Sequence, residues 1–128
     1  MSKLKSEIAR AAVSAVEVDE EGRLNRVYRF SADFVGFAGH FPGYSIVPAI
    51  VQVMAAQYLA ESHLSADLRL RGVKNAKFFV QLRPELDITV QCRLQPREEE
   101  TLVEARLTSD QALAASFTLI FSPERPTA

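Results

Sequence analysis

The 128-residue chain has one cysteine, no tryptophan, five glycines and two histidines. A single cysteine, Cys92, excludes an intramolecular disulfide framework, and its place in an alternating stretch suits a small buried hydrophobe. The net charge is −1 and no long basic run occurs, so nothing points to nucleic acid. Apolar runs fall short of the roughly 20 residues needed to cross a bilayer. Met1 to Glu7 is polar and lacks the apolar core of a signal peptide, so neither membrane association nor export is expected and a cytoplasmic location is. No cofactor and no metal are expected. What remains is an ordinary globular composition, 48% hydrophobic and 24% charged, long enough for a real core within one domain spanning residues 1–128.

The longest apolar stretch predicts a helix from Val47 to about His63. Pro48 suits its first turn, where a missing N–H costs nothing. From Val47 to Ala60 the only strongly polar side chains are Gln52 and Gln57. A helix without a polar face is buried, so the rest of the chain must wrap around it.

The flanking segments read as strands. Ser2 to Arg10 is a short helix or a frayed arm. Ala11 to Val18 and Arg23 to Ser31 form a hairpin about Asp19-Glu20-Glu21-Gly22, with Leu24, Arg26, Tyr28 and Phe30 on one side. After a break at Ser65 to Asp67, Val73 to Leu82 places Ala76, Phe78 and Val80 on one face. Leu86, Ile88, Val90, Cys92 and Leu94 alternate with polar residues at a period of two. Val103, Ala105 and Leu107 repeat the pattern, and Leu113, Ala115, Phe117, Leu119 and Phe121 close it. The Pro-rich tail from Ser122 is expected to be loose. The order of hairpin, buried helix and four strands joined by short turns implies an α+β fold, one antiparallel sheet curved round one helix.

Just before the helix lies Gly39-His40-Phe41-Pro42-Gly43, followed by Ile46 and Pro48. This pattern resembles the β-hydroxyacyl-acyl carrier protein dehydratases of the hot dog fold, whose motif reads G-H-F-P-G-x-P-I-x-P-G with an acid on the following helix. The resemblance implies the fold already inferred from periodicity. It also implies a 3-hydroxyacyl or enoyl thioester substrate, on acyl carrier protein or coenzyme A, in fatty-acid or polyketide-type metabolism. In that family a histidine takes the proton beside the thioester carbonyl, an acid protonates the departing hydroxyl, and backbone N–H groups at the helix start polarise the carbonyl. The two side chains come from different subunits, so the resemblance implies a homodimer or a higher even oligomer. An unpaired sheet edge and the apolar helix imply the same.

Position by position, His40 matches the base, and its ordinary pKa near ~6.5 suits proton transfer at neutral pH. Ala49 stands at the carbonyl-polarising position, where the contact is a backbone N–H. Ser45 replaces a proline. Met54 replaces the acid, and a thioether cannot donate a proton. Gln52 lies about 200° round the helix from Met54. Gln57, Tyr58 and Glu61 share roughly the face of Met54, and Gln57 is one residue early for the family's helix glutamine. It satisfies buried backbone, makes a dimer contact or meets substrate. Phe34, Phe37, Phe41, Phe78 and Phe79 are candidates to line an acyl tunnel, Phe41 and Phe78 fitting a plain core equally, and Gly43 and Met54 are candidates to contact substrate. Arg26, Arg29, Lys74, Lys77 and Arg83 are either solvated surface or contacts to an acidic carrier protein. Asp33 and Glu61 read as solvated or paired charges, and His63 as a cation at a helix C-terminus. Three functions follow: a dehydratase-like hydro-lyase, a non-catalytic thioester-binding or heterodimer partner subunit, and a hot dog thioesterase. The last requires a carboxylate where Met54 stands.

Overall fold

The computed structural model describes residues 3–34 and 46–122. Helix α1 (Lys3–Ala11) leads into β1 (Glu17–Val18) and β2 (Leu24–Tyr28). Helix α2 (Ala49–Leu64) follows, then β3 (Leu70–Phe78), β4 (Ile88–Pro96), β5 (Thr101–Ser109) and β6 (Ala112–Phe121). The six strands form one sheet in the order β1-β2-β4-β5-β6-β3. Every pairing is antiparallel. Helix α2 packs on β4, β2 and β5 and carries α1 beside it.

The first hairpin is closed by one carboxylate. Asp19 Oδ1 accepts the N–H groups of Glu21 and Arg23, and Oδ2 accepts from Arg23 Nε and Asn25 Nδ2. Gly22 takes φ +79° at the turn, a conformation that suits a residue without Cβ. The incoming strand is much shorter than expected. The chain is helical to Ala11, because Ile8 and Ala11 bury their side chains in the core. At Ser14 the hydroxyl oxygen takes the Val27 N–H at 2.9 Å, a side-chain substitute for a ladder bond. Upstream of Glu17 only an isolated bridge, Ala12 to Tyr28, remains.

Val51, Ala55, Ala56, Leu59 and Ala60 of α2 are buried. They lie in one core cluster with Val90 and Cys92 of β4, Ala105 and Leu107 of β5, and Phe117 and Leu119 of β6. The alanines let the helix approach the sheet closely: Cys92 Sγ lies 3.7 Å from the Ala56 carbonyl oxygen. Burial pushes the Cys92 thiol up to about 12, as expected of a group that cannot be charged in an apolar interior. The helix ends at Ser65, whose φ of 53° is left-handed and whose N–H bonds the Glu61 carbonyl. Burial is not complete all round, as the apolar sequence predicted. Ala49 and Ile50 are exposed, and Met54, Gln57 and Tyr58 are half-buried. One sheet covers one side of a helix, and this flank is left for something else.

Strand β3 departs furthest from expectation. Ala76, Phe78 and Val80, expected on one face of a strand, are all exposed, and so are Lys77 and Phe79 between them. The cause is position: β3 is the edge strand, paired only with β6, and irregular between Leu70 and Gly72 and between Lys74 and Lys77. Beyond it, Phe79 N–H donates to the Ala114 carbonyl at 2.7 Å. The chain turns inward only at Leu82, which is fully buried. The other three long strands alternate largely as predicted, except that Leu86 is exposed and Leu94 and Leu113 are half-buried. No helix among the described residues is long and apolar enough to cross a membrane.

Candidate active site at the start of the central helix

The start of α2 is fixed from outside the helix. Val47 N–H donates to the Leu82 carbonyl at 2.7 Å, which ties the helix entry to the segment following β3. Pro48 is the N-cap, with φ −62° and ψ 153°, and supplies no side-chain cap. Its carbonyl accepts from Val51 and Gln52. The N–H groups of Ala49 and Ile50 precede the first intrahelical bonds, so they point out of the helix end as donors.

The helix start at Ala49 borders a cleft of about 340 Å³. Ile46, Val47, Pro48 and Ala49 line it from the helix entry, and Phe78, Phe79 and Val80 from the end of β3. The wall is apolar and the helix end is electropositive, so the cleft suits an acyl chain whose polar head develops negative charge. Gln52 also lines it. That side chain is only 5% exposed, and its Nε2 donates to the Val47 carbonyl at 3.0 Å.

The structure brings three of the sequence candidates together here, Ala49, Phe78 and Phe79. Phe78 is exposed at the cleft and stacks on Phe117 with centroids 6.2 Å apart. Phe37, His40, Phe41 and Gly43 lie outside the described residues, in the segment that reaches α2 through Ile46. Met54 does not line the cleft; it packs half-buried against the core. Gln57 is directed elsewhere as well. Its Nε2 donates to the Leu68 carbonyl at 3.0 Å and to Glu61 Oε2 at 3.2 Å, fastening the segment after the helix. By helical spacing Gln52 faces away from Met54 and is not a sequence candidate. Its signal was the spacing from Ala49, three residues on and therefore on the same face.

The acids near Met54 in the sequence are occupied. Glu61 Oε2 accepts the Leu68 N–H at 2.8 Å, and Oε1 lies 3.6 Å from Lys5 Nζ. That lysine also sits 5.1 Å over the Tyr58 ring. Burial, and then the nearby Glu61 charge, hold the Tyr58 hydroxyl above its ordinary value. Lys5, Arg26, Tyr58 and Glu61 line a second cleft of about 380 Å³. Among the surface cations, Arg29 pairs with Asp87 at 2.7 Å, and Arg26 Nε donates to the Ser14 carbonyl. Among the described residues, no group of His, Cys, Asp and Glu is placed to hold a metal ion.

The fold has counterparts. The chain is similar in structure to the dehydratase heterocomplex ApeI:P from Xenorhabdus doucetiae, with TM-score 0.73 and 16% identity over 87% of this chain and 96% of that one. It is similar to a hypothetical thioesterase from Streptococcus pneumoniae solved with coenzyme A, with TM-score 0.69 and 8% identity over 97% of both chains. A Streptococcus mutans protein bound to acetyl CoA gives TM-score 0.62 and 9% identity over 90% of both chains. At such identities these likenesses speak for the fold alone, an α+β hot dog. Among curated proteins, no sequence matches. The ApeI-like family model, described as ApeI dehydratase, matches residues 16–117. That match spans most of the chain, and the protein belongs to the ApeI-like dehydratase family.

Proposed function

We propose that the chain is the base-bearing subunit of a dehydratase-type site for 3-hydroxyacyl and enoyl thioesters, completed by a second hot dog chain that supplies the acid. The observation that carries this reading is the union of two features. The Gly39-His40-Phe41-Pro42-Gly43 segment runs into α2, and the start of α2, whose first N–H groups have no intrahelical partner, borders an apolar cleft.

The chemistry requires a base, an electrophilic contact and an acid. His40 takes the proton from C2 of the thioester. The electrons of that C–H bond form the C2–C3 double bond, and the developing negative charge on the carbonyl oxygen is met by the N–H groups at Ala49 and Ile50. The C3–O bond breaks, and the hydroxyl leaves as water once it receives a proton. In hydration the same steps run in reverse. Met54 has no proton to give, so the chain alone lacks the last part.

In the dehydratases that the motif resembles, the base and the acid come from different subunits. A homodimer of this chain would then hold bases and no acids, whereas a mixed dimer with an acid-bearing relative would hold one complete site. The ApeI:P relative was solved as a heterocomplex, which supports a mixed assembly. The exposed apolar residues Ile50, Val73, Phe79 and Val80 offer a surface for the second chain. Two of the similar structures hold coenzyme A or acetyl CoA. This supports a substrate on a pantetheine carrier, coenzyme A or acyl carrier protein. A thioesterase needs a carboxylate to activate water, and Met54 occupies that helix position.

The test is hydration of short and medium enoyl thioesters by the purified chain, alone and co-purified with an acid-retaining hot dog partner. Turnover is expected to be slow alone and to rise in the mixture. His40→Ala should then lower it by ~10²–10⁴ without moving the melting temperature. Absence of thioester binding, and no gain in the mixture, would overturn the proposal.

A further inference from the structure

Two buried side-chain oxygens among the described residues lack a hydrogen-bond partner, Glu61 Oε1 and Gln52 Oε1. Glu61 Oε1 is compensated by Lys5 Nζ at 3.6 Å, which leaves Gln52 Oε1. A buried acceptor without a donor is costly and calls for an explanation. The orientation of the amide is fixed by chemistry. Nε2 donates to the Val47 carbonyl at 3.0 Å; turning the amide over would set two oxygens against each other. Gln52 therefore keeps an acceptor in reserve.

That acceptor belongs to a residue lining the same cleft as Ala49. The two are three residues apart on one helix face, with Cβ atoms roughly 5–6 Å apart. The cleft thus combines donors at the helix end with the Gln52 acceptor a turn further in, within a mostly apolar lining that also includes Gln81.

We infer that Gln52 is a specificity residue, whose Oε1 accepts a hydrogen bond from an O–H or N–H group carried close to the thioester carbonyl of the ligand. The inference rests on the thioester reading proposed above. Two parts of such a ligand carry the required donor: the 3-hydroxyl of the acyl chain, and the nearer amide N–H of a pantetheine arm. A saturated acyl group on a plain alkyl thiol carries neither.

The experiment is calorimetric binding of four thioesters to the full chain: 3-hydroxybutyryl and butyryl groups, each on pantetheine and on ethanethiol. Wild type should bind a donor-bearing ligand about tenfold more tightly than its donor-free match, the worth of one hydrogen bond in a buried site. Gln52→Leu should erase that difference while leaving the affinity for butyryl ethanethiol nearly unchanged. A difference that follows the hydroxyl assigns the acyl chain as the donor; one that follows the amide assigns the pantetheine arm. Gln52→Glu supplies a second test. As a neutral acid it offers one O–H to Val47 and one acceptor to the ligand, and burial extends the pH range in which it stays neutral. Discrimination should survive in this variant at low pH and fade as the carboxylate forms, a pH dependence absent from wild type. The wild-type contrast and the Gln52→Glu titration stand even where Gln52→Leu fails to fold. Equal affinity for all four ligands, or a difference that persists in Gln52→Leu, would overturn the inference and leave the thioester reading intact. Failure to bind any of the four would overturn both.

Discussion

Cys92 has no exposed surface, and its thiol is pushed up from 9.0 to about 12 by burial alone. The unfolded chain loses that proton near pH 9, while the folded protein holds it to about 12. The contribution to stability is therefore complete below pH 9 and is lost as the pH rises toward 12. The urea midpoint of wild type should fall more steeply over this window than that of Cys92→Ala, which has no thiol to titrate. At pH 8 a thiol-reactive disulfide reagent should leave the native protein untouched and modify the unfolded chain fully; rapid native modification would contradict the packing around Ala56. This residue was legible in the sequence, because alternation at a period of two placed it inward among Val90 and Leu94. Gln52 was not. Its assignment depends on the Val47 carbonyl and on the end of β3, neither of which sequence spacing locates.

The elements that the sequence made plain are those with one buried face. Strands β4, β5 and β6 lie inside the sheet and share one core with α2, so their inward positions had to be apolar. Strand β3 has the same kind of composition but sits at the edge, and no pattern along a single strand states its neighbours. Ala11 to Val18 was misread for a related reason: packing of Ile8 and Ala11 prolongs α1, and the Ser14 hydroxyl replaces a ladder bond. At the end of α2, Ser65 adopts φ 53° and ψ 43°, a conformation costing a residue with a Cβ about 1–2 kcal/mol. Glycine adopts it freely but loses more freedom on folding. Ser65→Gly should therefore raise stability by about 0.5 kcal/mol, read as a higher urea midpoint. A lowered midpoint would mean that the serine hydroxyl does more for the cap than its backbone costs.

At the scale of the whole molecule, the chain leaves apolar surface uncovered on both sides of the candidate site. Ile50 is 60% exposed on the helix flank, and Val73 and Phe79 are 43% and 55% exposed on and just beyond the edge strand. Strand edges and apolar patches of this kind are normally paired or covered. Light scattering at micromolar concentration should give at least twice the 14.2 kDa chain mass. Val73→Lys should lower that mass without loss of secondary structure, since Val73 sits exposed on the edge strand. A monodisperse wild-type monomer would remove the two-subunit site.

The proposed site lacks one proton donor, and Met54→Glu addresses that directly. Glutamate is unbranched, roughly fits the volume of methionine and reaches the same space. Partial burial raises its pKa, which favours the neutral acid that donates. The measurement is enoyl-thioester hydration by wild type, Met54→Glu and Met54→Gln, the last keeping the shape without an ionisable proton. Slow wild-type turnover and a gain confined to Met54→Glu are expected. Strong wild-type turnover that falls in Met54→Glu would rule out a missing donor at this position and direct the search to Tyr58 and Glu61.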